Sequence, residues 1–163
     1  MNESKPEDRA RAELLPRLGE IGLSNFAPYL MNRIMGRYNA NIRQEMARAG
    51  LTTPKLRALA VLSVIDSLQI SDLAVYAVVE QSTLSRALDQ LATDGLIRRE
   101  TDEKDSRVTR VAITEAGRAM FERLWPSMAA AYLQMFRGIP EEEQSKFVAT
   151  LQKVLQNVRH HDF

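Results

Sequence analysis

Apolar residues recur every three to four positions over most of the chain, and the breaks in that rhythm divide it into segments. Leu30, Ile34, Tyr38, Ile42 and Met46 are spaced by four, with Met31 and Met35 beside them, and they predict a long helix over 25–49. Ser24 or Asn25 suits its N-cap and Gly50 its C′ position. Thr53 as N-cap and Pro54 at the first helical position open a second helix, striped by Leu56, Leu59, Ala60 and Leu62. A short third helix over 70–77 turns Leu73 and Ala74 inward. In the fourth, EQSTLSRALDQLATDGL, Leu84, Leu88 and Leu91 form an i, i+4, i+7 line, while Gln81, Ser82, Ser85, Arg86 and Asp89 take the opposite face. Gly95 ends this helix, but Glu80, the residue before it, is not a preferred N-cap type.

After Gly95 the period drops to two. LIRRET and RVTRVAI alternate, with Thr109, Val111 and Ile113 on one face and Val108, Arg110 and Ala112 on the other. The DEKDS between them makes a hairpin with a long charged tip. Thr114 then caps a fifth helix running to about residue 137, with Met120, Phe121, Leu124, Met128, Tyr132 and Phe136 on its apolar face. Pro126 lies inside it and predicts a kink. Pro140 opens a sixth helix, whose first turn places Glu141, Glu142 and Glu143 favourably against the helix dipole. Phe147, Leu151, Val154 and Val158 follow at 4-3-4 spacing, a coiled-coil-like seam.

The expected fold is mainly α with a small β-hairpin. Residues 1–22 form a charged, weakly amphipathic N-terminal arm, and 23–163 a single domain. Within that domain, 53–114 has the order of a winged helix-turn-helix lobe. The helices at 23–50 and 115–160 are more apolar than so small a centre needs, so they are expected to meet in a dimer.

Composition narrows the chemistry. A 45% hydrophobic fraction supplies a core, and no apolar run reaches membrane-spanning length. The absence of cysteine removes disulfides, thiol nucleophiles and thiolate metal sites, and fits a cytoplasmic address. Net charge is only +1, and segment 53–114 holds eight basic against nine acidic residues. Any nucleic-acid contact must therefore rest on placed side chains, because bulk attraction to phosphate is weak. A helix that begins with small hydroxyl and amide residues and carries an arginine one turn on suits the DNA major groove. Its amides and hydroxyls can take phosphates, while Gln and Arg reach base edges. A hairpin tip bearing an arginine can reach the adjacent minor groove.

The segment STLSRALDQLATDGLIRRETDEKDSRVTRVAITEAG resembles the MarR family of bacterial transcription regulators. The resemblance rests on Ser82-Thr83-Leu84-Ser85-Arg86, on Leu91 with Gly95-Leu96-Ile97 and Arg99, on Asp105-x-Arg107 in the wing, and on Ile113-Thr114-x-x-Gly117. It implies a homodimer with intertwined terminal helices and two winged lobes on a palindromic double-stranded operator, with half-sites about 10 bp apart. It also implies a repressor relieved by a small aromatic effector. By the same resemblance Arg107 enters the minor groove, Asp105 orients the wing, and Gln81, Ser82, Thr83, Ser85 and Arg86 lie along the major groove. Lys55 is placed to reach a phosphate. Two features depart from the family pattern: the turn VYAVVEQ has no glycine, and the wing tip carries three acids against two bases.

Each feature also has a plainer reading. Ser82, Thr83 and Ser85 can simply start a helix, and Arg86 can pair with Asp89 or Asp94. The Met and aromatic residues of the long helices are ordinarily core or dimer interface. An effector site, which the resemblance implies, is expected at Met31, Met35 and Tyr38, with Arg57 as carboxylate partner. His160 and His161, beside Asp162, are the only histidines and sit at the chain end, which argues against a metal site. No nucleophile–base pair, Gly-rich phosphate loop, metal cluster or cofactor motif is present, so no enzyme activity is expected. The alternative to DNA binding is a winged-helix adaptor that binds another protein.

Overall fold

The computed structural model describes residues 15–102 and 108–159. The chain divides into two compact units, Met1–Ala40 and Asn41–Phe163. In the first, a helical turn Leu18–Ile21 and a 3₁₀ turn Leu23–Asn25 precede α1, Ala27–Arg48, which runs on into the second unit. Helix α1 thus starts two residues later than its periodicity predicts. Asn25 does not cap it: its side-chain amide donates back to the Ile21 carbonyl at 3.0 Å, closing the preceding turn.

The second unit continues with α2 (Thr53–Val64), β1 (Ser67–Gln69), α3 (Ile70–Ala77), α4 (Gln81–Thr93), β2 (Ile97–Thr101), β3 (Thr109–Ile113), α5 (Glu115–Met135) and α6 (Glu141–Val158). The strands form one antiparallel sheet in the order β1-β3-β2, so the hairpin gains a third strand that its alternation does not predict. Leu68 pairs with Val111, and Arg99 pairs with Val111 from the other side. As the middle strand, β3 is covered on both faces at its C-terminal end. Val111, Ala112 and Ile113 are all buried, and the expected split into an inner and an outer face does not persist there.

The core of this lobe is leucine. Leu59 and Leu62 of α2, Leu73 of α3, and Leu84, Leu88 and Leu91 of α4 are fully buried. Each such side chain contributes about 1.5–3 kcal/mol on transfer from water. Ala58 rather than Ala60 completes the α2 stripe. Helix α2 begins one residue earlier than expected, with Thr52 in the cap position and Pro54 in the first turn.

A compact joint ties α4, β2 and α5 together. The Thr114 hydroxyl donates to the Gly95 carbonyl at 2.7 Å and accepts from the Gly117 amide at 3.1 Å, capping α5. The Thr114 amide donates to the Leu96 carbonyl at 3.1 Å. Gly117 is required there: a Cβ would stand 2.0 Å from the Leu96 carbonyl oxygen. The I-T-x-x-G pattern is therefore one packing contact, with Gly95 at φ +71° supplying the left-handed turn that brings Leu96 into place.

Helix α5 continues without interruption through Pro126. Pro140 caps α6 from outside rather than occupying its first helical position. Helix α6 has no buried residue. Phe147, Val154 and Val158 of its seam stay exposed, as do Tyr132 and Leu133 of α5.

Candidate nucleic-acid interface

Helix α4 is held by its leucine line. With Leu84, Ala87, Leu88 and Leu91 buried, the opposite face turns outward, leaving Gln81, Ser82, Thr83 and Arg86 exposed and Ser85 half-buried. The five side chains expected along a groove thus share the N-terminal half of one helix face.

The turn that delivers this helix contains a conformation its sequence does not announce. Val78 follows α3 with φ 53° and ψ 51°, a left-handed backbone in a β-branched residue, and its amide donates to the Ala74 and Val75 carbonyls. That conformation costs about 1–2 kcal/mol for an L-residue. The Arg57 guanidinium braces it, donating through Nη1 to the Val78 carbonyl at 2.9 Å and the Ala77 carbonyl at 3.5 Å. Helix–turn–helix geometry is achieved here without glycine.

Glu80 caps α4. Its carboxylate accepts from the Ser82 and Thr83 amides, both at 3.0 Å, from the Thr83 hydroxyl at 3.3 Å, and from the Ser82 hydroxyl. These hydrogen bonds, the Ser82 hydroxyl first, hold the Glu80 carboxyl well below the usual range, at about 2. A carboxylate is thus fixed, solvent-exposed, at the entry to the candidate recognition helix. Sequence reasoning missed this cap because Glu is a rare N-cap type. The usable signal was the carboxylate two and three residues before paired hydroxyls.

The acids that could neutralise Arg86 are engaged elsewhere. Asp89 accepts from Arg99 at 2.6 Å and Asp94 from Lys55 at 3.4 Å, leaving Arg86 with no partner among the described residues. Lys55 corrects an expectation. It is expected to reach a phosphate, but its side chain is only 9% exposed and its ammonium faces Asp94, so it braces α2 against the end of α4.

The bases on the wing strands are likewise tied internally. Arg110 donates to the Ser67 hydroxyl at 3.1 Å and carbonyl at 2.7 Å, and pairs with Asp102 at 3.3 Å, lashing β1 to the hairpin. Arg98 binds Glu100 and the Ile113 carbonyl. Asp105 and Arg107, the wing-tip residues of the expectation, lie outside the described residues, as do His160 and His161.

For the expected effector site, Met35 is exposed while Met31 and Tyr38 are half-buried in the first unit. Burial raises the Tyr38 phenol above its ordinary value. Arg57 in the second unit is committed to the turn carbonyls. A groove of about 350 Å³ in the second unit has other walls: Glu45, Arg48, Ala49, Met120, Arg123 and Leu124. Among the described residues no cluster of three or more His, Cys, Asp or Glu could hold a metal, and no helix is long and apolar enough to cross a membrane.

Known proteins share this arrangement. The family model described as MarR family matches residues 51–109, from the approach to α2 through the wing to the start of β3. A crystal structure of a MarR family transcriptional regulator from Silicibacter pomeroyi is 58% identical, with a TM-score of 0.87, over 91% of this chain and 100% of that one. The HTH-type transcriptional repressor IacR of Pseudomonas putida is 26% identical over 155 residues, 95% of this chain and 93% of that protein. BpsR of Bordetella bronchiseptica, whose DNA binding is regulated by 6-hydroxynicotinic acid, shares the fold. Its TM-score is 0.70 at 23% identity, over 82% of this chain and 95% of that one.

Proposed function

The chain belongs to the MarR family of transcriptional regulators, and on that premise we propose that it is a homodimeric repressor that reads a palindromic operator and is released by a small aromatic effector. The observation that carries the DNA reading is the exposed face of α4. Gln81, Ser82, Thr83 and Arg86 stand together in solvent, and Arg86 has no ion-pair partner among the described residues, Asp89 and Asp94 being held by Arg99 and Lys55. An unpaired guanidinium on a groove-sized helix suits bidentate contact with guanine O6 and N7. Arg107 would reach the minor groove and Asp105 would orient the wing.

Homodimerisation is supported by the exposed apolar residues of α5 and α6, which a second copy would cover. The effector reading draws on BpsR, and Met31, Met35 and Tyr38 of the first unit stay its candidate residues, while Arg57 serves the turn before α4 instead. An effector would act by favouring a lobe spacing that the two half-sites cannot both accept.

The test is a fluorescence-anisotropy titration against a duplex selected by the protein from a random library. Arg86→Ala should weaken binding about tenfold or more, in line with about 1–3 kcal/mol for one good base contact. Unchanged affinity removes Arg86 from the interface. The adaptor reading has one observation in its favour, the −1 balance of segment 53–114. It would be favoured if a folded dimer shifted no duplex at low salt.

A further inference from the structure

The N-terminus of a recognition helix ordinarily offers free amides and hydroxyls to DNA phosphate. Here the Ser82 and Thr83 donors are already taken. Both Glu80 oxygens are engaged, receiving the Ser82 and Thr83 amides and both hydroxyls, and the carboxylate stands in solvent on the same surface as Gln81 and Arg86. A hydroxyl has one hydrogen. With that hydrogen directed to Glu80, each of Ser82 and Thr83 presents only oxygen lone pairs outward.

We propose that Glu80 is a specificity-determining residue of the DNA-binding face: it excludes phosphate from the α4 N-terminus and fixes Ser82 and Thr83 as hydrogen-bond acceptors toward the bases. The proposal rests on the DNA-binding reading above and deepens it. In the major groove only adenine N6 and cytosine N4 donate hydrogen bonds. Ser82 and Thr83 therefore favour adenine or cytosine beneath them, and they disfavour the acceptors guanine O6 and thymine O4. The fixed negative charge also lowers affinity for DNA of any sequence, since every duplex presents phosphate at that place. Arg86, one turn further on, then carries attraction where a base can be read.

A merely structural cap would behave differently, and Glu80→Ser separates the two roles. Serine is itself a preferred N-cap, so α4 keeps a neutral cap and the fold is preserved; circular dichroism melting checks this. Wild type and Glu80→Ser are titrated by anisotropy against the duplex that wild type selects from a random library and against a shuffled version of it, over a range of salt. The variant should bind the shuffled duplex about tenfold more tightly, with a salt slope steeper by about one per subunit. Its affinity for the selected duplex should change less than threefold, so the ratio of specific to non-specific binding falls (threefold is about 0.65 kcal/mol). A second selection with the variant should lose the adenine or cytosine preference at the positions under Ser82 and Thr83.

If wild type selects a sequence and Glu80→Ser binds both duplexes as wild type does, or more weakly by one common factor, Glu80 is only a cap and the proposal is wrong. If wild type selects and shifts no duplex at low salt, the DNA-binding reading fails and this one falls with it.

Discussion

The winged lobe and the C-terminal helices are built from the same apolar rhythm and end in opposite states. In the lobe, the leucine lines of α2, α3 and α4 meet one another and vanish from the surface. On α5 and α6, the rhythm is as regular, yet Tyr132 is 45% exposed, Phe147 44% and Val158 62%. The difference teaches what periodicity means. It marks a face that must be covered without saying by what, and only the lobe supplies its own cover. The lobe closes its own core; the C-terminal helices leave apolar side chains in solvent.

That contrast can be broken by matched truncations. Leu88→Ala in the lobe should cost about 3–4 kcal/mol in urea unfolding, at any protein concentration, because it opens a cavity in a closed core. Gly117→Ala should cost about 2–3 kcal/mol, since the added methyl meets backbone rather than a yielding side chain. Leu155→Asp should leave the lobe's melting intact and weaken self-association at least tenfold, about 1.4 kcal/mol, read by sedimentation velocity over a dilution series. If Leu155→Asp unfolds the lobe as Leu88→Ala does, the two regions are one cooperative unit and the contrast is false.

Within the lobe, the turn before α4 is the weak point. Val78→Gly should stabilise it by about 0.5–1 kcal/mol in thermal melts, as relief of left-handed strain outweighs glycine's entropic cost. The smallest effect is electrostatic. Glu80 titrates near 2 in the folded protein, below its ordinary value of 4.5. Its contribution to α4 is therefore complete above pH 4.5 and is lost as pH falls through 2. A carboxyl carbon NMR titration of Glu80 should show a midpoint near 2; a midpoint near 4.5 would mean that the cap is not formed in solution.

What the sequence makes legible follows the range of the interactions. Helices α2 and α4 are readable because Leu56 and Leu59, and Leu84, Leu88 and Leu91, repeat locally, α5 and α6 because Leu124, Met128 and Tyr132, and Phe147, Leu151 and Val154, do the same, and the hairpin because its alternation is local too. Strand β1 is not readable: Ser67, Leu68 and Gln69 are too few to show a period, and they become a strand only through β3, more than 40 residues on. The exposed face of α4 was legible from its pattern. The fate of its charges was not, since Lys55 and Asp94 lie 39 residues apart and meet only in the fold. Arg57 shows the same limit, being drawn to the backbone of a left-handed valine that no propensity foretells.

The most direct test of the account joins both regions: hydroxyl-radical footprinting of the full chain on the duplex it selects. If the α4 face reads DNA and the C-terminal helices pair two copies, two protected patches should appear on one side of the duplex, their centres one helical turn, about 10 bp, apart. A single patch, or protection spread evenly along the duplex, would contradict it.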